Sequence, residues 1–192
     1  MDLSFLKNLK IELEPVIEKA GEIIMEVYES DHAINEKSDG SPVTEADTKS
    51  EKIIVSAIKR ICPNIPIISE ENSDSHKFNV DGPFFLVDPL DGTKEFLKKD
   101  GKGAFTVNIA LIKNEVPLFG MVNAPALKRS FSGIVGDGSV EKNDTQSTVI
   151  SISESKKHNI IAVASTSHRD EKTNRWLESN KIERTISVGS SL

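Results

Sequence analysis

Residues 84–93 read Phe-Phe-Leu-Val-Asp-Pro-Leu-Asp-Gly-Thr, an apolar run followed by a turn that carries two carboxylates. The run Phe84–Asp88 is typical of a short β-strand, and it brings Asp88 to the edge at which open α/β sheets bind their ligands. Pro89 fixes a turn, so that Asp88, the Leu90 carbonyl and Asp91 can converge on one point. Hard oxygen ligands of this kind suit Mg²⁺.

The end of the same stretch suits a phosphate group. Gly92 lets backbone N–H groups approach a ligand closely, and a helix beginning at Thr93 would point further N–H groups at an anion. In isolation, residues 88–93 are explained equally well as a plain turn, because Asp, Pro and Gly are turn residues. The two interpretations are separated by the residues found elsewhere in the chain.

Two other segments carry carboxylates at comparable positions. Glu70 follows the predicted strand Ile65–Ser69, and Asp47 lies in the first turn of a predicted helix. Singly, Glu70 is better explained as part of a solvated acidic turn and Asp47 as a helix-capping group. With Asp88 and Asp91 they make four carboxylates from three segments, and such a cluster repels itself unless cations lie within it. Together they predict a metal site.

Hydrophobic periodicity places these residues on an α+β framework. Spacings of three and four predict one amphipathic helix over residues 16–27, with Pro15 in its first turn and Leu3–Leu13 as a separate lead-in, and a second from Thr44 to Cys62 with Thr44 as its N-cap. Further strands are predicted at Ala104–Ile112, Val116–Asn123, Phe131–Val135 and Thr148–Ile152, with a loop at Gly136–Asp144.

The last part of the chain resembles the start of a βαβ unit. A strand is predicted at Ile160–Ser165, a helix at Asp170–Asn180 and a strand at Ile182–Val188. The sequence therefore predicts an N-terminal α+β domain over 1–152 and a partial C-terminal α/β domain over 153–192. One helix and two strands cannot cover their own sheet, so we expect this second domain to be incomplete.

Composition excludes several classes of protein. The 192 residues carry a formal net charge of −6, which argues against binding nucleic-acid polymers or anionic membranes. The single cysteine, Cys62, allows no internal disulfide, and no apolar stretch resembles a signal peptide or a membrane span. The predicted location is the cytoplasm. Composition does not determine the oligomeric state.

Three motifs resemble those of the inositol-monophosphatase superfamily. They are Glu36–Asp47, Ile68–Glu71 and Leu86–Phe96. More narrowly, Thr93-Lys94-Glu95-Phe96, Ser165–His168 and Gly189–Ser191 resemble the CysQ-type 3′(2′),5′-bisphosphate nucleotidases. The resemblance implies the layered αβαβα sugar-phosphatase fold. It also implies removal of the 3′-phosphate from adenosine 3′,5′-bisphosphate, a small-molecule substrate, to give AMP and phosphate in sulfur assimilation, with inhibition by lithium.

The resemblance also implies a role for each matching residue. Glu70, Asp88 and the Leu90 carbonyl would bind one Mg²⁺, Asp88 and Asp91 a second, and Glu70 would touch a third. Asp47 and Thr93 would be catalytic, orienting and deprotonating the attacking water. The implied substrate contacts are Asp91, Gly92, Thr93, Lys94, Ser167, His168, Gly189, Ser190 and Ser191.

Some interpretations stay open at this point. His168 is also explained as a surface histidine at a helix start, and Gly189–Ser191 as a flexible end. Family members continue with a Trp-Asp motif whose aspartate completes the second metal site, whereas here Trp176 precedes Leu177. We therefore expect a C-terminally truncated chain. The alternatives to a nucleotidase are an inositol or sugar monophosphatase, and an inactive metal-binding fragment that lacks this ligand.

Overall fold

A computed structural model of the chain describes residues 1–30, 34–36, 42–99, 103–152, 160–165, 169–182 and 184–188. The helices are α1 (Leu3–Glu29), α2 (Glu45–Ile61), α3 (Thr93–Lys98) and α4 (Glu171–Ser179). The strands are β1 (Ile34–Glu36), β2 (Pro42–Thr44), β3 (Ile67–Ser69), β4 (Phe84–Asp91), β5 (Thr106–Lys113), β6 (Val116–Ala124), β7 (Arg129–Ile134), β8 (Gly138–Asn143), β9 (Ser147–Ile150), β10 (Ile161–Ser165) and β11 (Arg184–Val188).

The main sheet has seven strands in the order β3-β4-β5-β6-β7-β8-β9. β3 runs parallel to β4, and each later strand is antiparallel to its neighbour. The alternate residues of its central strands share a buried core with α1 and α2, including Phe85, Val87, Val107, Ile109, Leu111, Phe119 and Met121. The α+β prediction is confirmed, because the period-two pattern of these strands places one apolar face against two amphipathic helices.

The prediction for the first helix is wrong at its N-terminal end. α1 is continuous from Leu3 to Glu29, and Pro15 lies inside it. Its buried stripe runs unbroken past the proline, through Leu6, Leu9, Leu13, Ile17, Ala20, Gly21, Ile24 and Val27. Pro15 removes the hydrogen bond to the carbonyl of Ile11, whose side chain is exposed. Burial of the whole stripe therefore outweighs the local cost of the proline.

The second helix begins as predicted. Thr44 is its N-cap, and Asp47 completes the reciprocal capping box. Thr44 Oγ1 accepts a hydrogen bond from Ala46 N–H at 3.1 Å, and Asp47 Oδ2 accepts from Thr44 N–H at 2.7 Å. The cap satisfies N–H groups that the first helical turn leaves without intrahelical partners, so it fixes where α2 starts.

Ser50 attaches α2 to the main sheet. Its hydroxyl donates to the Pro89 carbonyl at 2.8 Å, and both residues are buried. Pro89 lies between Asp88 and Asp91 in β4, so this one bond couples the first turns of α2 to the segment that carries the two aspartates.

The two strands predicted at Ala104–Ile112 and Val116–Asn123 are confirmed as β5 and β6, and they form a hairpin with Asn114 and Glu115 at positive φ in its two-residue turn. The loop predicted at Gly136–Asp144 is wrong, because Gly138–Asn143 forms strand β8, paired with β7. The glycines of this segment favour a turn, and Gly136 and Gly138 do have positive φ at the turn that leads into β8. Pairing with β7 nevertheless makes the residues that follow a strand.

β10 and β11 form a separate, parallel pair, with α4 between them in the chain. The βαβ prediction is confirmed in this respect. The boundary between 152 and 153 stays a prediction, since residues 153–159 lie outside the described residues. Within the described ranges, no helix has the length and apolar character that a membrane crossing requires.

We expect Pro15→Ala to raise the free energy of unfolding by about 1–3 kcal/mol, because proline in a helix interior is about 3 kcal/mol less favourable than alanine. Chemical denaturation followed by circular dichroism measures the change. Glu12→Ala, another exposed position of α1, is the control and should change stability by less than about 0.5 kcal/mol. A destabilised Pro15→Ala chain would contradict the continuous helix.

We expect Ser50→Ala to lower the free energy of unfolding by about 1–3 kcal/mol, because it leaves the buried Pro89 carbonyl without its donor. Ser56→Ala in the same helix is a matched control, since Ser56 is exposed. Equal stability of the two variants in urea denaturation would show that the Ser50 bond contributes nothing.

Candidate active site

Glu70 and Asp88 meet where β3 ends beside its parallel neighbour β4. Ser69 of β3 pairs with Val87 of β4, and Glu70 N–H donates to the Val87 carbonyl at 3.0 Å. The two carboxyl side chains that follow this pair share a hydrogen bond. The parallel register thus brings together two acidic groups that are far apart in the sequence.

A β-bulge brings Asp91 to the same face of the sheet. Asp88 pairs with Asn108 of β5, and Asp91 pairs with Thr106, so three steps along β4 oppose two steps along β5. In a regular strand, residues three apart point to opposite faces. The extra residue in the bulge cancels this alternation, and both aspartates lie on the face opposite to buried Val107 and Ile109. We expected convergence through a proline turn, whereas it arises within a continuous strand.

Electrostatics at Asp88 are strongly unfavourable for a bare carboxylate. Burial raises the pKa of Asp88 to about 8, with further contributions from the charge of Glu70, the hydrogen bond with Glu70 and the charge of Asp91. The Leu90 N–H donates to Asp88 Oδ1 at 3.2 Å and acts in the opposite direction. Without a cation, Asp88 therefore holds a proton at neutral pH.

The donor set fits Mg²⁺ bound through few protein ligands. Among the described residues, no group of three or more His, Cys, Asp or Glu side chains is placed so that it could hold an ion by itself. Pairs of carboxylates supplemented by the Leu90 carbonyl are a different arrangement, and Mg²⁺ usually uses one or two carboxylates and keeps several waters. Burial and the charges of Glu70 and Asp91 raise the pKa of Asp88, and a divalent cation would offset both by stabilising the ionised carboxylate.

Asp47 and Thr93 lie next to this cluster. Asp47 is fully buried, and its Oδ2 accepts hydrogen bonds from Thr44 N–H at 2.7 Å and Thr44 Oγ1 at 2.6 Å. Its Oδ1 lies 3.5 Å from Thr93 Oγ1, which is 3.2 Å from the Leu90 carbonyl. The capping box of α2 therefore holds the carboxylate that faces the end of β4.

Aromatic packing holds Thr93 in place. Gly92 has φ of +86°, which favours glycine, and it leads directly into α3. Phe96 in α3 is fully buried, and its ring centroid lies 5.3 Å from that of Tyr28 in α1 and 5.3 Å from that of Phe105. Contacts among these three aromatic rings thus anchor the short helix on the core.

Sequence reasoning missed three residues of the site: Ser50, Thr106 and Asn108. Thr106 Oγ1 lies 3.5 Å from Asp91 Oδ2, and Asn108 Nδ2 donates to Thr106 Oγ1 at 3.1 Å. A signal was present, because Thr106 and Asn108 are polar residues two apart at the start of a strand whose next four residues, 109–112, are apolar. Their relation to Asp91 depends on the register, which the sequence does not specify.

The remaining predicted residues are distributed unevenly. Lys94 is exposed in the first turn of α3, directly after Thr93. Ser167, His168, Gly189, Ser190 and Ser191 lie outside the described residues, as do residues 37–41 of the first motif. The structure thus brings Asp47, Glu70, Asp88, Leu90, Asp91, Gly92 and Thr93 into one region of the fold.

Comparison with solved structures agrees with this architecture. The crystal structure of CysQ from Bacteroides thetaiotaomicron superposes with a TM-score of 0.75 at 30% sequence identity, covering 98% of this chain and 74% of that one. The Thermotoga maritima IMPase superposes with a TM-score of 0.74 at 22% identity, covering 96% of this chain and 69% of that one. The second similarity concerns the fold alone.

Sequence comparison is more specific. The chain is 36% identical over 176 residues to the 3′(2′),5′-bisphosphate nucleotidase CysQ of Shigella flexneri, which covers 90% of this chain and 70% of that protein. It is 38% identical over 178 residues to the protein of the same name from Buchnera aphidicola, covering 90% of this chain and 65% of that protein. A model of the inositol monophosphatase family matches residues 7–191. The chain belongs to the inositol monophosphatase family.

Proposed function

We propose that this chain carries a Mg²⁺-dependent phosphatase site that removes the 3′-phosphate of adenosine 3′,5′-bisphosphate, giving AMP and phosphate. The observation that carries the proposal is the placement of Glu70, Asp88 and Asp91 beside the Asp47–Thr93 pair. Carboxylates that repel one another next to a hydroxyl–carboxylate pair suit hydrolysis of a phosphate ester assisted by metal ions.

The acidic residues are the proposed metal ligands. Glu70, Asp88 and the Leu90 carbonyl would hold one Mg²⁺, Asp88 and Asp91 a second, and Glu70 would contact a third. Bound Mg²⁺ lowers the pKa of a coordinated water and offsets the negative charge of the phosphate. Asp88 would be shared by the first and second ions, so we expect its loss to weaken both sites.

Thr93 and Asp47 are the proposed catalytic residues. Thr93 Oγ1 would orient the attacking water, and Asp47 Oδ1 would accept the released proton through it. The geometry supports this assignment, since Asp47 Oδ2 already accepts two hydrogen bonds from Thr44 while Oδ1 faces Thr93. The carboxylate is thus held in one orientation, as a general base requires.

The nucleotide part of the proposal rests on the relatives and on the local sequence. Both relatives described above are named as 3′(2′),5′-bisphosphate nucleotidases, and Thr93-Lys94-Glu95-Phe96 has the form found in that subfamily. Gly92 and Lys94 are the proposed contacts to the phosphate. Ser167, His168 and Gly189–Ser191 are the proposed contacts to the rest of the nucleotide. The single cysteine favours the cytoplasm as the location.

We expect the chain to release phosphate from adenosine 3′,5′-bisphosphate when Mg²⁺ is present, and Asp88→Asn to lower turnover by at least about a hundredfold, the scale typical of losing one electrostatic group in an active site. Circular dichroism should show that the variant stays folded. The matched control is Asp81→Asn, an exposed aspartate that precedes β4. Near-normal turnover by Asp88→Asn would mean that the metal assignment is wrong. Faster release from inositol 1-phosphate would favour a sugar monophosphatase instead.

We expect the affinity for Mg²⁺ to rise with pH, by up to about tenfold per unit between pH 6 and 8, because the ion must displace the proton held by Asp88. Calorimetric titration at pH 7 in two buffers of different ionisation enthalpy should reveal proton release. A pH-independent affinity would contradict the shifted pKa of Asp88.

The same shift predicts how stability depends on pH in the absence of metal. The pKa of Asp88 is raised from 3.8 to about 8 on folding, so the folded chain binds the extra proton between these values. Stability should therefore fall as pH rises through this window. In EDTA at pH 8, Asp88→Asn should melt at a higher temperature than the wild-type chain, and Asp81→Asn should not.

A further inference from the structure

Thr106 and Asn108 form a hydrogen-bonded line that ends on Asp91. Asn108 Nδ2 donates to Thr106 Oγ1 at 3.1 Å, and Thr106 Oγ1 lies 3.5 Å from Asp91 Oδ2. Both residues of β5 pair with the two aspartates of β4 across the bulge. The line therefore lies where the backbone register brings the two strands together.

The chemistry of the line gives it a direction. A hydroxyl group has a single proton to donate and lone pairs to accept with. Because Asn108 Nδ2 donates to Thr106 Oγ1, the Thr106 proton is available to Asp91 Oδ2. Active-site hydrogen bonds are often long before the ligand binds and shorten in the complex, which the 3.5 Å separation allows. Asn108 thus acts on Asp91 through Thr106.

Core packing does not explain a threonine at this position. Thr106 is fully buried, and valine has the same shape without a hydroxyl that must be desolvated. A buried hydroxyl is favourable only where it forms hydrogen bonds. Here those bonds lead to a carboxylate at the end of β4, next to a bulge that interrupts regular pairing and just before α3 begins. The Thr106 hydroxyl therefore restrains the Asp91 side chain at the point where the backbone pairing of β4 with β5 is irregular.

We propose that Thr106 and Asn108 are positioning residues that orient the Asp91 carboxylate as a metal ligand. The inference rests on the proposed function, since it concerns the second Mg²⁺ assigned to Asp88 and Asp91. Outer hydrogen-bond partners of metal ligands fix the orientation of the ligand, and their loss typically lowers metal affinity by about 10–100-fold.

The test is the dissociation constant of Mg²⁺, measured by calorimetric titration of the 192-residue chain without substrate. Thr106→Val removes the hydroxyl at nearly constant volume, and we expect it to raise the dissociation constant by about 10–100-fold. Thr106→Ser keeps the hydroxyl, and we expect it to bind Mg²⁺ within about threefold of the wild-type chain. A role in packing alone would give the opposite order, because Thr106→Val keeps the shape of the buried side chain whereas Thr106→Ser removes a methyl group.

Asn108→Ala tests the direction of the line. We expect it to weaken Mg²⁺ binding in the wild-type background and to have no further effect in Thr106→Val, because residues that act through one another are not additive. Independent effects of the two substitutions would overturn the role of Asn108. If Thr106→Val does not fold, half-buried Asn108 carries the test alone. Weaker binding by a folded Asn108→Ala chain then supports the proposal, and unchanged binding overturns it.

The outcomes separate this inference from the proposed function. Wild-type affinity in Thr106→Val, or an equal loss in Thr106→Ser, overturns the positioning role and leaves the phosphatase proposal intact. Absence of Mg²⁺ binding by the wild-type chain overturns both.

Discussion

The bulge between Asp88 and Asp91 is the constraint on which the site depends. Regular alternation would send these side chains to opposite faces of the main sheet, one of which is the hydrophobic core. One extra residue in β4 puts both on the face that carries Asn108 and Thr106. Ser50 holds the bulge from α2 through the Pro89 carbonyl. Without this local irregularity, the same residues would leave one carboxylate buried and uncompensated.

The fold supports a charge arrangement that is unfavourable by itself. Burial raises the pKa of Asp88, and the charges of Glu70 and Asp91 raise it further. The apolar core of α1, α2 and the central strands stabilises the framework that keeps these groups close. Perturbed acidic groups held on a rigid sheet are typical of functional sites, where a bound ligand supplies the missing stabilisation.

Prediction from the sequence succeeded where one local signal sufficed. Thr44 and Asp47 form a recognisable capping box, so the start of α2 was predicted correctly. The buried face of β5 follows from alternation. Pro15 misled the prediction because its local cost is smaller than the gain from burying a long apolar stripe. The strand β8 was missed because its glycines favour turns, and pairing with β7 is a long-range effect.

By itself, the sequence predicted the residue types of the candidate site, because carboxylates from separate segments repel one another unless a cation lies between them. It also identified the family, because the motifs are short contiguous segments of the sequence. Only the tertiary structure decided that Asp88 and Asp91 share a face of the sheet and that the Ser50 hydroxyl donates to the Pro89 carbonyl. It also decided that Asn108 donates to Thr106 and that Thr106 lies within 3.5 Å of Asp91. The reason is register: a shift of one residue inverts every side chain of a strand, and register is set by the packing of the whole sheet.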